Sequence, residues 1–285
     1  MRTALIVNPY ASRVTPELAA QVARALAADE TVFTERAGHA TELARELEAE
    51  RVVVFSGDGG FNEVLNGARP ETVLGFVPGG GTSVLPRALG LPRDPLAAAA
   101  RIARGRTRRM SLGRANGRRF GFAAGIGLDA ELIRRVDALG RREDGKRPGD
   151  AAFAWIALKT LAAARLRFEP ALEIEGRGRA AFALVANTDP YTYVGRMPLR
   201  LPRGARIEGG LDLLAPRSFR ARSLPGAVRY LATGRTRLPL VELHDTDRIV
   251  VRCDAPMPLQ LDGEDLGDVM EVVFEAERGA VDVLV

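Results

Sequence analysis

Lysine is almost absent from this chain. Of 41 basic side chains only Lys146 and Lys159 are lysines, and Lys146 is followed by Arg147 without the glycine spacing of a lysine-bearing phosphate loop, which excludes that motif. Cysteine occurs once, as Cys253, so no disulfide closes within the chain and no cysteine-rich zinc site forms. The two histidines, His39 and His244, stand far apart in sequence and argue against a histidine metal centre or a Ser-His-Asp triad. Long hydrophobic runs are also missing. Residues 151–164, the most apolar stretch, are interrupted by Lys159 and fall short of the ~20 residues of a membrane span. The opening MRTALIVNP reads as a strand with no charged-then-apolar leader pattern, so the expected location is cytoplasmic. Acidic residues vanish between residues 95 and 128, where eight arginines fall from Arg101 to Arg119. Such a block suits a phosphate-bearing partner or an anionic bilayer, and equally a plain solvated face. With no aromatic side chains interleaved, nucleic acid is not expected.

What is present is a globular composition, 46% hydrophobic and 27% charged with a net charge of +5. A chain of 285 residues is long enough for two domains. The first hundred residues alternate strand and helix signals. Short apolar runs at residues 4–7, 31–34, 51–55 and 73–77 read as strands, and RVVVF is unbroken, as a strand buried on both faces should be. Thr15-Pro16-Glu17 and Asp94-Pro95 read as helix starts, and residues 41–50 as a helix with Leu43 and Leu47 inward. This pattern predicts a parallel, doubly wound α/β domain with its ligands at the carboxyl ends of the strands. Beyond residue 106 the grammar changes. Asn116-Gly117 signals a hairpin, helices are expected at 129–139, 151–168 and 223–233, and residues 140–150 read as a charged surface loop. Strand-length segments at 171–175, 180–186, 207–214, 248–253, 257–261, 269–274 and 281–285 predict a β-rich, sandwich-like second domain. The expected division is an α/β domain over 1–112 and a β-rich domain over 113–278.

Three loops at strand ends carry the chemistry. Ser56-Gly57-Asp58-Gly59-Gly60-Phe61-Asn62-Glu63 follows RVVVF, Pro78-Gly79-Gly80-Gly81-Thr82-Ser83 follows the next strand, and Asn8-Pro9-Tyr10-Ala11-Ser12-Arg13 follows the first. Glycines there let backbone N–H groups approach phosphate oxygens, and the helix that follows adds its positive end. One such loop reads as an ordinary strand-to-helix turn; three on one sheet edge read as a nucleotide phosphate site. Asp58 could hold a magnesium ion or orient the phosphates. Late in the chain, Asp262-Gly263-Glu264 follows Leu259-Gln260-Leu261. On its own this segment reads more readily as a surface turn with solvated carboxylates.

The ordered set Asn8 to Ser12, Ser56 to Gly67, Pro78 to Arg87, Gly125-Ile126-Gly127-Leu128-Asp129-Ala130 and Asp262-Gly263-Glu264 resembles the diacylglycerol kinase catalytic-domain family, which includes bacterial lipid kinases and sphingosine kinases. The resemblance implies ATP and Mg2+ as cofactors and a lipid acceptor at an anionic membrane surface, with peripheral attachment; a homodimer stays open. It implies that the final segment 279–285 returns to the first domain. It matches Asn8, Pro9, Tyr10, Ala11, Ser12, Arg13, Thr34, Ser56, Gly57, Asp58, Gly59, Gly60, Phe61, Asn62, Glu63, Gly80, Gly81 and Thr82 to nucleotide-binding positions, and Glu264 or Asp262 to the catalytic base. Ala205, Glu208 and Gly210 match a magnesium site, and Asp58 and Asp129 a metal-linked carboxylate network. Four departures stand out. Ser56 replaces a glycine, Gly60 and Gly81 replace threonines, and Val84 replaces an aspartate found in many members. Two rivals accompany this reading: a NAD-kinase-like enzyme acting on a soluble acceptor, and a nucleotide- or lipid-binding relative with little turnover.

Overall fold

The computed structural model describes residues 1–140, 155–156, 159–160, 165 and 167–285. The α/β half runs β1 (Thr3–Val7), α1 (Pro16–Leu26), β2 (Glu30–Phe33), α2 (His39–Glu46), β3 (Arg51–Ser56), α3 (Asp58–Gly67), β4 (Val73–Pro78), α4 (Val84–Ala88) and α5 (Pro95–Ile102). Thr15 caps α1 by accepting from the Leu18 amide at 3.2 Å, and Asp94 caps α5 by accepting from Ala97 at 2.8 Å. Both caps are followed by a first-turn proline, which has no amide to leave unsatisfied. Helix α2 begins two residues earlier than its apolar spacing predicts and ends at Glu46. Its start is fixed from outside: the Glu63 carboxylate accepts from the amides of Gly38 at 2.9 Å and Ala40 at 3.1 Å.

The parallel strands lie in the order β4-β3-β1-β2. The chain moves outward from β1 to β2, then returns past β1 to β3 and β4. Right-handed crossovers therefore place α1 and α5, which pack together, on one face and the α2–α3 pair on the other. The strand order reverses between β1 and β3, which is where a doubly wound sheet opens a crevice.

The second half contains β5 (Thr107–Ala115), β6 (Arg118–Phe120), β7 (Ala123–Ile126), α6 (Leu128–Ala138), β8 (Leu172–Ile174), β9 (Gly178–Ala180), β10 (Ala183–Ala186), β11 (Thr192–Val194), β12 (Met197–Leu199), β13 (Leu211–Pro216), α7 (Leu224–Thr233), β14 (Leu240–Thr246), β15 (Arg248–Leu261) and β16 (Glu264–Leu284). Asn116 and Gly117 both have positive φ between the paired residues Ala115 and Arg118, the two-residue turn that their sequence signals. The predicted strands 248–253 and 257–261 are one strand, β15, bulged between Arg252 and Met257. The segments at 269–274 and 281–285 are both parts of β16. The strand expected at 180–186 divides into β9 and β10, and the one expected from 207 begins only at Leu211, because Gly209 turns back onto the Arg206 carbonyl at 2.7 Å. Strands β11, β12 and β14 were not anticipated. The loop expected at 140–150 and the helix at 151–168 fall largely outside the described residues.

Strand β16 joins the halves. It leaves β15, runs antiparallel to β5, and sets Val283 beside Leu74 of β4 in parallel. One sheet thus passes from the β-rich half into the α/β half, with the loops of β1, β3 and β4 near the seam. The arginine block of β5 and β6 faces carboxylates along this seam. Arg109 pairs with Asp282 at 2.9 Å, Arg114 and Arg119 share Glu277, Arg108 takes Glu208, and Arg118 takes Glu264 at 2.6 Å. Five of the eight arginines are therefore neutralised within the fold, and the block is not a free cationic face. Among the described residues no helix is long and apolar enough to cross a membrane.

Candidate active site

The three glycine-bearing loops touch through their backbones. The Asn8 amide donates to the Phe55 carbonyl at 3.0 Å, its side-chain Nδ2 to Ser56 Oγ at 3.2 Å, and its Oδ1 accepts from Tyr10 at 3.0 Å. Arg13 donates its amide to the Gly79 carbonyl at 2.9 Å, and Gly79 donates to the Ser56 carbonyl at 2.6 Å. A Cβ on Gly80 would stand 2.8 Å from Gly57 Cα, so glycine is required where these two loops cross. Gly59 and Gly81 face open space. Helix α3 follows Gly57 without a side-chain cap, so no capping side chain takes up its first-turn amides at the end of β3. Ala11, Ser12 and Thr82 are half-buried around it, Pro9 and Tyr10 are exposed, and buried Thr34 closes the β2 edge with its amide on the Val7 carbonyl at 2.9 Å. The Arg13 guanidinium reaches the Arg93 carbonyl at 2.8 Å.

Ser56 and Gly60 are two halves of one arrangement. An ideal Cβ on Gly60 would lie 2.2 Å from Ser56 Oγ. The serine hydroxyl occupies the space that a side chain at position 60 would need, so the glycine and hydroxyl-bearing residue have exchanged places. The other residues of this segment have structural partners. Asp58 Oδ1 accepts from the Val84 amide at 2.7 Å, which fixes the third loop against α3. Phe61 is buried and meets Phe76 edge to face. Gly67 lies against α2, where a Cβ would come 2.1 Å from the Thr41 carbonyl oxygen. Phe61, Asn62 and Glu63, matched to nucleotide-binding positions, thus direct their side chains to the core, to the seam and to α2.

The Asp262-Gly263 turn is held from three sides. Both residues have positive φ between paired Leu261 and Glu264, again the two-residue hairpin turn that Asp-Gly favours. The buried Asp262 carboxylate accepts from the amides of Gly121 at 2.6 Å, Phe122 at 2.9 Å and Ala123 at 3.1 Å, and from Asn62 Nδ2 at 2.9 Å. Burial pushes this carboxyl up, and these donors pull it back down. Gly263 donates to Gln260 Oε1 at 2.8 Å, and Gln260 Nε2 donates to Asp129 Oδ2 at 2.7 Å, which also accepts from the Tyr191 hydroxyl at 2.7 Å. Burial raises the Asp129 carboxyl, opposed by Tyr191 and Gln260. Gly125 has no Cβ because Asp129 Oδ2 would stand 2.3 Å from it. Glu264, half-exposed, is met by Arg118 at 2.6 Å, and the same guanidinium reaches Asn62 Oδ1 at 3.2 Å.

Asp262 and Asp129 therefore hold the turn, while Glu264 is the more exposed carboxylate of the two matched to the catalytic base. The contacts of Arg118, Tyr191 and Gln260 were not read from sequence. Arg118 was counted among a run of arginines, although its place directly after Asn116-Gly117 puts it at the head of the returning strand. The residues matched to a magnesium site have these surroundings. Glu208 pairs with the Arg108 guanidinium, Gly210 donates to Asp245 at 2.6 Å, and Ala205 is buried. Among the described residues no three His, Cys, Asp or Glu side chains stand together as a metal cage.

Residues 2–115 match the family model of the diacylglycerol kinase catalytic domain. A diacylglycerol kinase of Bacillus subtilis is 29% identical over 248 residues, covering 82% of this chain and 78% of that one. A diacylglycerol kinase of Staphylococcus epidermidis is 35% identical over 138 residues, covering 44% of this chain and 43% of the relative. The crystal structure of a diacylglycerol kinase from Bacillus anthracis superposes with a TM-score of 0.71 at 19% identity, covering 99% of this chain and 96% of that one. An NAD kinase from Archaeoglobus fulgidus, solved in complex with ATP, gives 0.54 at 11% identity, covering 99% and 93%. At these identities the structures establish the shared fold: an α/β domain with parallel strands joined to a β-rich domain. The resemblance to the diacylglycerol kinase catalytic-domain family holds over residues 2–115.

Proposed function

We propose that this protein is an ATP-dependent lipid kinase, transferring the γ-phosphate of ATP to the hydroxyl of diacylglycerol or a related lipid. The observation that carries this reading is the Asn62–Asp262 contact, which brings a carboxylate-bearing turn of the β-rich half to the helix that opens the glycine crevice. In this reading the amides of the first turn of α3 and of Gly81 bind phosphate oxygens, doing without a lysine, while the Gly79 and Gly80 amides hold the loop through the Ser56 carbonyl and Ser83 Oγ. Glu264 accepts the proton of the lipid hydroxyl as its oxygen bonds to the γ-phosphorus, and the bond from that phosphorus to the bridging oxygen breaks to release ADP. Arg118 orients Glu264. Asp262, its oxygens engaged by four N–H donors, positions the turn.

Magnesium belongs to this reading as the ion that accompanies nucleotide phosphates, and it supplies neutralising charge on their oxygens. Asp58, beside the crevice, is the carboxylate that would hold it. The lack of an all-protein cage among the described residues fits an ion bound mostly through phosphates.

The test is transfer of label from γ-labelled ATP to a bacterial lipid extract in detergent micelles, with NAD offered in parallel. A labelled lipid supports the proposal and its chromatographic identity names the acceptor. Labelled NADP would transfer the reading to a soluble-acceptor kinase. Nucleotide binding without transfer to either would make the chain a binding relative.

A further inference from the structure

We infer that helix α7 is a docking element for an anionic lipid surface. Its buried side is well anchored. Tyr230 is buried and donates its hydroxyl to Glu242 at 3.0 Å, Thr236 Oγ1 donates to the Gly226 carbonyl at 3.1 Å, and the Arg203 guanidinium holds the Leu231 carbonyl. The opposite side is apolar and exposed. Leu224, Val228 and Leu231, spaced four and three residues apart and so on one helical stripe, are 38%, 62% and 41% accessible. A surface helix normally turns this kind of stripe inward.

Along the chain on either side of the stripe the charge is of one sign, with Glu242 and Glu169 reaching it from other elements. Between Asp212 and Glu242 there is no acidic residue, and arginines stand at 217, 220, 222, 229, 235 and 237. Arg220 pairs with Glu169 at 2.9 Å, and Arg217 donates to the Arg177 carbonyl at 3.2 Å. Arg222, Arg229, Arg235 and Arg237 are exposed and have no ion-pair partner among the described residues. They differ in this from the arginines of β5 and β6, which meet carboxylates of the fold.

An exposed apolar stripe bordered by unneutralised arginines is what a helix lying in a bilayer interface requires: the stripe enters the acyl boundary and the arginines meet lipid phosphates. A second copy of the chain would set arginine against arginine. A nucleic acid would meet the arginines but leave Leu224, Val228 and Leu231 in water. This inference deepens the lipid-kinase reading and rests on it for its purpose, since it gives the enzyme a means of reaching a membrane-borne acceptor.

The experiment is cosedimentation of the full chain with vesicles of phosphatidylcholine, or of equal parts phosphatidylcholine and phosphatidylglycerol. Wild-type protein is expected to pellet with the mixed vesicles and to stay in solution with the neutral ones. Val228→Asp should lower partition at least about tenfold, and Arg229→Gln or Arg235→Gln about fivefold each, which corresponds to about 1 kcal/mol per arginine near an anionic surface. All three positions are exposed, and unchanged unfolding midpoints would verify that the variants fold. Equal partition of wild type and variants, or equal binding to both vesicles, would overturn the inference. So would a vesicle-free dimer that Val228→Asp converts to monomer. Phosphate transfer to a micellar acceptor, measured alongside, separates the two readings. Vesicle binding without transfer sinks the kinase and keeps the docking helix; transfer without vesicle binding does the reverse.

Discussion

The side-chain amide of Asn62 donates to the carboxylate of Asp262 at 2.9 Å, across 200 residues of sequence, and both groups are buried. Removing the amide leaves a buried carboxylate one donor short. Asn62→Ala should therefore destabilise the protein by about 1.5–3 kcal/mol in urea unfolding. Asn62→Asp should cost more, because it sets two carboxylates against each other, and the deficit should shrink as the pH falls and one of them takes up a proton. Equal loss from both substitutions at every pH would mean that the contact contributes only packing.

Ser56 and Gly60 should behave as a coupled pair. Gly60→Thr alone drives its Cβ into Ser56 Oγ and should cost about 1–3 kcal/mol. Combined with Ser56→Gly, the same change should recover most of the loss, because the hydroxyl-bearing side chain then occupies the vacated space. Thermal unfolding of the two single variants and the double variant reads the coupling directly. Additive losses would show that the exchange is not compensatory.

Gly67→Ala sets helix propensity against packing. Alanine inside a helix is worth up to about 1 kcal/mol over glycine, but here its methyl would come 2.1 Å from the Thr41 carbonyl oxygen of α2, a backbone atom. The clash should win, giving net destabilisation in denaturant titrations. A stabilised variant would mean that α2 and α3 separate easily.

Arg134 ties α6 to the strand after the Asp262-Gly263 turn, meeting Asp265 through two nitrogens at 2.8 and 3.1 Å and Asp268 at 2.7 Å. The hydrogen bond from Arg134 holds the Asp265 carboxyl below its ordinary value of 3.8. A carboxyl lowered on folding adds stability that is complete above the ordinary value and is lost as the pH falls through the lowered one. Arg134→Ala should cost about 1 kcal/mol at neutral pH, a modest figure because these groups are partly solvated. The stability curves of variant and wild type should converge as the pH drops below 3.8. A constant gap across that range would contradict the ion-pair account.

The crevice was legible in sequence because parallel strands buried on both faces are unbroken apolar runs, and their glycine loops follow directly. The long strands of the second half were not. Pro256 and Pro258 lie within β15, and the polar stretch of β16 around Glu277 is shielded by Arg114 and Arg119 from the adjoining β5–β6 hairpin. The tasks of Asn62 and Glu63 were hidden for a similar reason. A motif read along the chain points toward the nearest loop, whereas these side chains answer partners at Asp262, Gly38 and Ala40. Asp262 and Glu264 are inseparable as letters, and their surroundings differ: four N–H donors hold the buried carboxylate, whereas the half-exposed one meets the Arg118 guanidinium.

That difference supplies the most direct test of the proposed chemistry. The measurement is the rate of label transfer from γ-labelled ATP to lipid by wild type and Glu264→Gln, together with the ATP affinity of each protein. If Glu264 takes the proton of the acceptor, the variant binds ATP as tightly as wild type and transfers phosphate about a hundredfold or more slowly. Transfer at the wild-type rate with Glu264→Gln would contradict the account.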